Sequence, residues 1–347
     1  MTRRKFIKVC CAATGLTALG GWNLYTWARG SSTQEQCSAS SVPLNKNTYK
    51  PGYLTLEANG ELERRERILW VKMESCDLCP RKCRVNRMAG VAGMCSVSNT
   101  FRVASVGPHF GNERVLVGAR GTGNIFFSNC NLLCIFCQNW EIAHRGDGRL
   151  TSHAALANMM ISLQQMGCHN INFVTPTHLV PHLITALRLA IANGLNLPLL
   201  YNTSGYESLE VIQLLDGVVD IYLPDFKFQD SEKATRFLHG APDYAGYTAA
   251  AIKEMHRQVG TLNIVDGIAN RGLLVRHLVL PENTAGTDTF VRWVVSELGA
   301  DTHVNIMDQY WPAFLAHNHP PLHRRLTPRE FEQAMRWARD AGLRNFH

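Results

Sequence analysis

Three cysteines, Cys130, Cys134 and Cys137, are spaced C-x3-C-x2-C inside the segment Ser128–Asn139. Three thiolates on one short loop suit an iron–sulfur cluster, which ordinarily takes four protein ligands. One iron then keeps an open position, and a metal held one protein ligand short is a place where chemistry can occur. The spacing suits neither a disulfide framework in a chain of 347 residues nor a thioredoxin-type C-x-x-C pair. A zinc knuckle or three buried thiols are the alternatives. The apolar run Gly123–Phe127 leads straight into the loop, as a strand delivering a site would.

A second group, Cys76, Cys79, Cys83 and Cys95, follows C-x2-C-x3-C-x11-C, with Pro80 and the stretch Gly90–Gly93 supplying turns. Four soft ligands on tight turns fit a closed tetrahedral site, holding either zinc or a second cluster. Such a site is structural or electron-carrying, because no ligand position is free. Two disulfides are the alternative, and export would favour them. Cys168 follows Gly167 at a helix end and reads as a buried small residue. His178 and His182 lack a third ligand at matching spacing, so they read as surface or capping residues. His317, His319 and His323, in a Pro-rich stretch, read as solvent-exposed or substrate-facing.

The elements that must position these groups alternate from Gly121 onward. Apolar runs at 122–128, 170–176, 197–203, 219–226, 273–280 and 303–309 read as strands. Helical patterns near 152–166, 179–193, 206–216, 243–259, 285–298 and 327–341 lie between and after them. Thr151 and Ser152 can cap the first helix, and Gly194 ends the second. This alternation predicts an α/β fold, a partial (β/α)6 TIM-like barrel with an N-terminal cysteine-rich extension. Residues 61–74 read as a charged helix with Leu62, Ile68, Leu69 and Met73 inward. The stretch Asp230–Tyr247 is less regular and reads as a loop over the mouth. Sites in barrels of this kind gather at the C-terminal strand ends. There the chain carries Thr175 and Thr177, Asn202 and Ser204, Asp225 and Lys227, and Arg276. Such residues supply donors and acceptors for a polar cofactor.

With these residues in view, the chain resembles the radical S-adenosylmethionine (SAM) superfamily. Within it, the chain is similar to uncharacterised proteins related to pyruvate formate-lyase activating enzyme. The likeness rests on Cys76–Cys83, Ser128–Asn139 with Phe136 before the last cysteine, Val174–His178, Tyr201–Glu207, Asp220–Lys227 and Val275–Pro281. It spans roughly residues 55–345. The resemblance implies a 4Fe–4S cluster on Cys130, Cys134 and Cys137, and SAM bound across strands two to five by Thr175, Thr177, Asn202, Ser204 and Arg276. Reductive cleavage of SAM would then yield a 5′-deoxyadenosyl radical for hydrogen abstraction. Asp225 and Lys227 match a feature of the activases near the cofactor, and an ordinary strand-end ion pair is the other reading. True glycyl-radical activases carry Gly-Gly-Glu-Pro after strand two. Val174-Thr175-Pro176-Thr177 stands there in this chain, which bears on the substrate more than on the radical chemistry. Implied partners are a flavodoxin- or ferredoxin-type reductant and an activase-like protein substrate. The contrasting reading is a non-catalytic exported iron–sulfur or zinc protein for electron transfer or scaffolding.

The formal net charge is +7, but residues 1–30 hold Arg3, Arg4, Lys5, Lys8 and Arg29 and no acid, which leaves only +2 for the rest. That removes the case for a nucleic-acid partner, which needs a basic surface on the folded domain. Hydrophobic residues at 46% and charged residues at 18% are ordinary for a globular chain. The basic start and the apolar run from Val9 to about Gly21 resemble a twin-arginine export signal. The expected layout is a signal segment over 1–30, a linker over 31–54, a cysteine-rich region over 55–118 and the barrel domain over 119–347. Cys10, Cys11 and Cys37 fall in the signal and the linker. The expectation is an exported or membrane-associated protein that meets membrane or export machinery. A cytoplasmic location is the alternative, since SAM and low-potential electrons are cytosolic supplies.

Overall fold

The computed structural model describes residues 49–347, which belong to one compact unit. The signal segment, most of the linker, and Cys10, Cys11 and Cys37 lie outside the described residues. In chain order the elements are α1 (Tyr53–Ala58), α2 (Glu61–Val71), β1 (Phe101–His109), α3 (Arg114–Val117), β2 (Thr122–Phe127), α4 (Trp140–Ala143), β3 (Arg149–Thr151), α5 (His153–Gln165), β4 (Ile171–Val174) and α6 (Val180–Ala192). They continue with β5 (Leu199–Thr203), α7 (Leu209–Leu214), β6 (Ile221–Pro224), α8 (Ser231–Phe237), α9 (Tyr244–Val259), β7 (Asn263–Val265), β8 (Ile268–Leu278), α10 (Thr287–Glu297), β9 (His303–Met307) and α11 (Pro328–Asp340). No described helix is long and apolar enough to cross a membrane.

The six expected strands are present as β2, β4, β5, β6, β8 and β9, parallel neighbours in that order. The helix ends follow local chemistry. Ser152 accepts from the Ala155 N–H at the start of α5. Thr327 and Glu330 form a capping box ahead of α11, with Pro328 in the first turn. Gly194, at φ +86°, ends α6 in the left-handed conformation that a side chain would strain.

Alternate strand residues share a face, so the register sorts the interior into layers. Leu200 pairs with Ile221, and both pack with Leu223, Leu274 and Leu116 of α3 in one buried apolar cluster. This cluster plugs the barrel. Beyond it toward the C-terminal ends come Asn202, Asp225, Arg276 and Asn305, with Asp225 beside Arg276 and Arg276 beside Asn305. The opposite strand face is apolar and sits in the larger core, with Ile125, Phe127, Ile171, Phe173, Tyr201 and Tyr222 all buried. Leu62, Leu69 and Met73 are fully buried as expected, while Ile68 is only half-buried.

Several features differ from the sequence reading. β1 runs antiparallel to β2, and β3 extends that edge, so the sheet continues past the first barrel strand. β1 is solvent-facing along much of its length, with Val106 46% exposed, so it lacks the apolar run of a buried parallel strand. β8 begins earlier than expected, because Ile268–Arg271 pairs with β7 as a hairpin before the strand enters the barrel. The stretch 230–247 is not an irregular lid. It holds α8, capped by Asp230 accepting from the Lys233 N–H, then a turn, then the start of α9.

Candidate metal centre

The cysteine loop leaves β2 at the C-terminal end of the sheet and is held from four sides. The Ser128 N–H donates to the Arg102 carbonyl at 3.0 Å, and its hydroxyl donates to the Asp147 carbonyl at 2.7 Å. A ring nitrogen of His178 lies 3.0 Å from the Ser128 carbonyl. The Ile135 N–H donates to Phe237 and its carbonyl accepts from the Leu315 N–H, each at 3.0 Å. Phe136 is buried edge-on to Phe228 and Tyr310, so the residue before the last cysteine anchors the loop in the core. Two non-glycine residues take positive φ, Asn129 at 69° and Leu133 at 54°. Asn tolerates this region, but Leu does not, and such residues cost about 1–3 kcal/mol each.

Cys130 and Cys134 are buried, Cys137 is half-buried, and every described cysteine is a free thiol. Burial pushes all three thiols up, Cys137 to about 11, and Cys130 raises Cys134 and Cys137 further. Against this, the Lys227 ammonium favours the thiolate form of all three, and the Leu132 N–H lies 3.3 Å from the Cys130 Sγ. Lys227 donates to the Asp225 carboxylate at 2.5 Å. Burial works against the Lys227 charge, but Asp225 and then Cys134 hold its pKa above the ordinary value. Among the described residues no three His, Cys, Asp or Glu side chains converge on a single metal position.

The other candidate residues fall into two sets. Asn202 and Ser204 share the inner face of β5 and its continuation, beside Asp225 and Lys227. The Ser204 hydroxyl is buried without a partner, and so is the side-chain amide oxygen of Asn131 on the cysteine loop. Thr175 sits half-buried at the end of β4, with φ +60° and its N–H on the Asn202 carbonyl at 2.9 Å. Two candidates are already engaged elsewhere. The Thr177 hydroxyl donates to buried Glu207 at 2.5 Å. Arg276 makes a two-pronged pair with Glu113, both contacts 2.7 Å, and Asn305 donates to the same carboxylate at 2.7 Å. Burial opposes ionisation of Glu113, yet Arg276 holds its carboxyl below the usual range.

His178 and His182 are neither surface nor capping residues. Each is about 1% exposed, and burial lowers each pKa to about 3, so both are neutral packing groups. Cys168 is buried as expected; His317 and His323 are exposed and His319 half-buried. Three groups at the site escape a reading of the sequence: Glu113, Glu207 and Arg81. The Arg81 guanidinium spans two loops, donating to the carbonyls of Asn131 (2.9 Å), Leu132 (3.2 Å), Leu238 (2.9 Å), His239 (2.9 Å) and Gly240 (3.1 Å). Its place between Cys79 and Cys83 was the available signal.

Comparison with known proteins adds the following. The Radical SAM superfamily pattern matches residues 124–269. The uncharacterized protein MJ0674 of Methanocaldococcus jannaschii is 32% identical over 278 residues, covering 78% of this chain and 76% of its own. Among solved structures, a radical SAM methyltransferase from Sphaerobacter thermophilus aligns over 84% of this chain and 90% of its own, at 13% identity and a TM-score of 0.46. HydG, a maturase of the FeFe-hydrogenase, aligns over 67% of this chain and 52% of its own, at 12% identity and a TM-score of 0.45.

Proposed function

Because the chain belongs to the radical SAM superfamily, we propose that it binds a 4Fe–4S cluster on Cys130, Cys134 and Cys137 and SAM at the adjoining strand ends. The residues fit both groups. Three thiols, two of them buried, face an ammonium and a backbone N–H, and an unpartnered Ser204 hydroxyl waits at the polar end of β5. With both groups bound, the cluster would supply the electron for reductive cleavage of the sulfonium C–S bond of SAM, which would give methionine and a 5′-deoxyadenosyl radical able to take a hydrogen atom from a substrate C–H bond.

The chain's own residues prepare that site. Lys227 favours thiolates at the cysteines and is itself held charged by Asp225. Asn202 and Ser204 offer a donor and acceptor set to the polar groups of SAM. Thr175 offers its hydroxyl from the end of β4, where the activases carry Gly-Gly-Glu-Pro. Arg276, neutralised by Glu113, adds shape and hydrogen bonds more than net charge. The apolar plug of Leu116, Leu200, Ile221, Leu223 and Leu274 closes the inner end, which keeps water from reaching the site through the barrel.

The observation that carries this reading is the cysteine loop at a strand end beside a polar, partly unsatisfied interior. An electron carrier would not need that interior. The test is anaerobic reconstitution with iron and sulfide, followed by dithionite and SAM. The expected product is 5′-deoxyadenosine, lost to background in Cys134→Ala; a cluster-loaded wild type that makes none would sink the reading.

The substrate we propose is activase-like, a C–H bond of a partner protein, with a small flavodoxin- or ferredoxin-type protein as reductant. The Asp225-x-Lys227 pair supports it. Deuterium carried into 5′-deoxyadenosine from a deuterated, size-fractionated lysate should follow the macromolecular fraction. Label arising only from the low-mass fraction would overturn the protein-substrate reading.

A further inference from the structure

Arg87 is fully buried and has no carboxylate partner among the described residues. Its Nε donates to the Ser98 carbonyl and one terminal nitrogen to the His178 carbonyl, each at 2.9 Å. The same nitrogen lies 3.9 Å from the Cys76 Sγ. The other terminal nitrogen is buried with no partner at all. An uncompensated buried guanidinium costs several kcal/mol, so a fold that keeps one implies an anion beside it. The groups beside it are thiols. Cys76 and Cys95 both feel the Arg87 charge.

The four upstream cysteines lie on tight turns, without three of their sulfurs meeting at one point. The Cys76 N–H donates to Val85 and the Cys76 carbonyl accepts from the Arg84 N–H, so residues 76–85 fold back on themselves. Lys82, Arg84 and Ser96 all take positive φ next to a cysteine. Backbone N–H groups two residues ahead favour the thiolate at three of the cysteines, Leu78 at Cys76, Arg81 at Cys79 and Val97 at Cys95. A Cβ on Gly93 would sit 3.0 Å from the Cys83 Sγ and 3.8 Å from the Cys95 Sγ, so only glycine leaves those two sulfurs room. Donors aimed at sulfur and a buried cation are what metal-bound thiolates need. Four thiolates around a divalent ion or a cluster core carry net negative charge, which Arg87 would balance.

The turn also reaches the other cysteine loop. Arg81 grips the Asn131 and Leu132 carbonyls, the Asn131 side chain favours the Cys79 thiolate, and Arg87 holds the residue whose ring meets Ser128. We propose that Cys76, Cys79, Cys83 and Cys95 hold a second, closed soft-metal centre balanced by Arg87, and that this centre braces the Cys130–Cys137 loop through Arg81. The bracing half rests on the reading of that loop as the cluster site; the metal half does not.

The test is metal and acid-labile sulfide analysis of the full chain, loaded anaerobically with iron, sulfide and zinc. In the C130A/C134A/C137A variant, retained zinc without sulfide, or retained iron with equal sulfide, supports the centre and names its metal. Retention of neither overturns it. In that background Arg87→Met should release metal to a chelator at least tenfold faster, and Arg87→Lys should recover part of the loss. Equal release from a folded Arg87→Met variant, judged by circular dichroism, overturns the counter-ion role. Arg81→Ala, with the seven cysteines intact, should keep the upstream metal and lose severalfold of the remaining iron. Unchanged total iron overturns the bracing. Because these readouts need no SAM, they stay separate from a failure to form 5′-deoxyadenosine.

Discussion

Thr175 is the most strained of the candidate residues. It is β-branched, it precedes Pro176, and both features favour extended backbone, yet it sits at φ +60°. Strain of about 1–3 kcal/mol is kept where surrounding contacts over-determine it, most often at functional sites. Thr175→Gly should therefore raise stability by about 1 kcal/mol, or roughly 2 °C in Tm for a chain of this size. It should also lower 5′-deoxyadenosine formation, because the hydroxyl and the loop geometry go together. A melting curve and a turnover assay check both, and a Tm that falls would show that the strain is not released there. The thiols were legible at this scale because spacing alone marks a ligand set. Arg81, Arg87, Glu113 and Glu207 were not, because what distinguishes them is burial beside a partner far away in the chain. Arg87, for example, meets His178, 91 positions on.

The strand and helix alternation was legible because each parallel strand is buried on its outer face and each following helix carries an apolar stripe. The segment joining β1 to β2 was not. Its short helix α3 enters the barrel, where Leu116 joins the apolar plug and Glu113 takes up Arg276 of β8 and Asn305 of β9. One carboxylate thus ties two neighbouring strands to a third element. Removing it as Glu113→Ala would leave Arg276 charged, buried and unpaired, at a cost of about 3–5 kcal/mol. Glu113→Gln keeps the acceptor for Asn305 and should cost less, roughly 1–3 kcal/mol. The double variant Glu113→Ala, Arg276→Met should recover much of the loss. Denaturant unfolding of the three variants measures this, and equal losses for Glu113→Ala and the double variant would show that the charge is not what matters.

Across the molecule, two sets of buried titratable groups oppose each other. Burial raises Glu207 to about 7 and Asp220 to about 6. Burial lowers His178 and His182 to about 3 and His277 to about 4. The signs differ. A carboxyl with a raised folded pKa contributes stability that is complete below its unfolded value and lost as pH rises through the folded one. A histidine with a lowered folded pKa contributes stability that is present above its unfolded value and lost as pH falls. The acids therefore penalise folding as pH climbs from about 4 to 7, and the histidines as it drops from about 6.5 toward 3. Three histidines against two acids leave a net gain with rising pH, so these groups should make the wild type more stable from about pH 4 upward and level off near neutral pH. Glu207 can be removed from this balance while its shape and acceptor stay, since Thr177 and Thr203 both donate to one carboxylate oxygen. Glu207→Gln should gain stability relative to wild type on going from pH 5 to pH 8, by at most roughly 3 kcal/mol. Urea unfolding of both proteins at the two pH values measures the gain. A variant shifted equally at pH 5 and pH 8 would mean that Glu207 is already ionised in the fold, its three hydroxyl partners outweighing its burial.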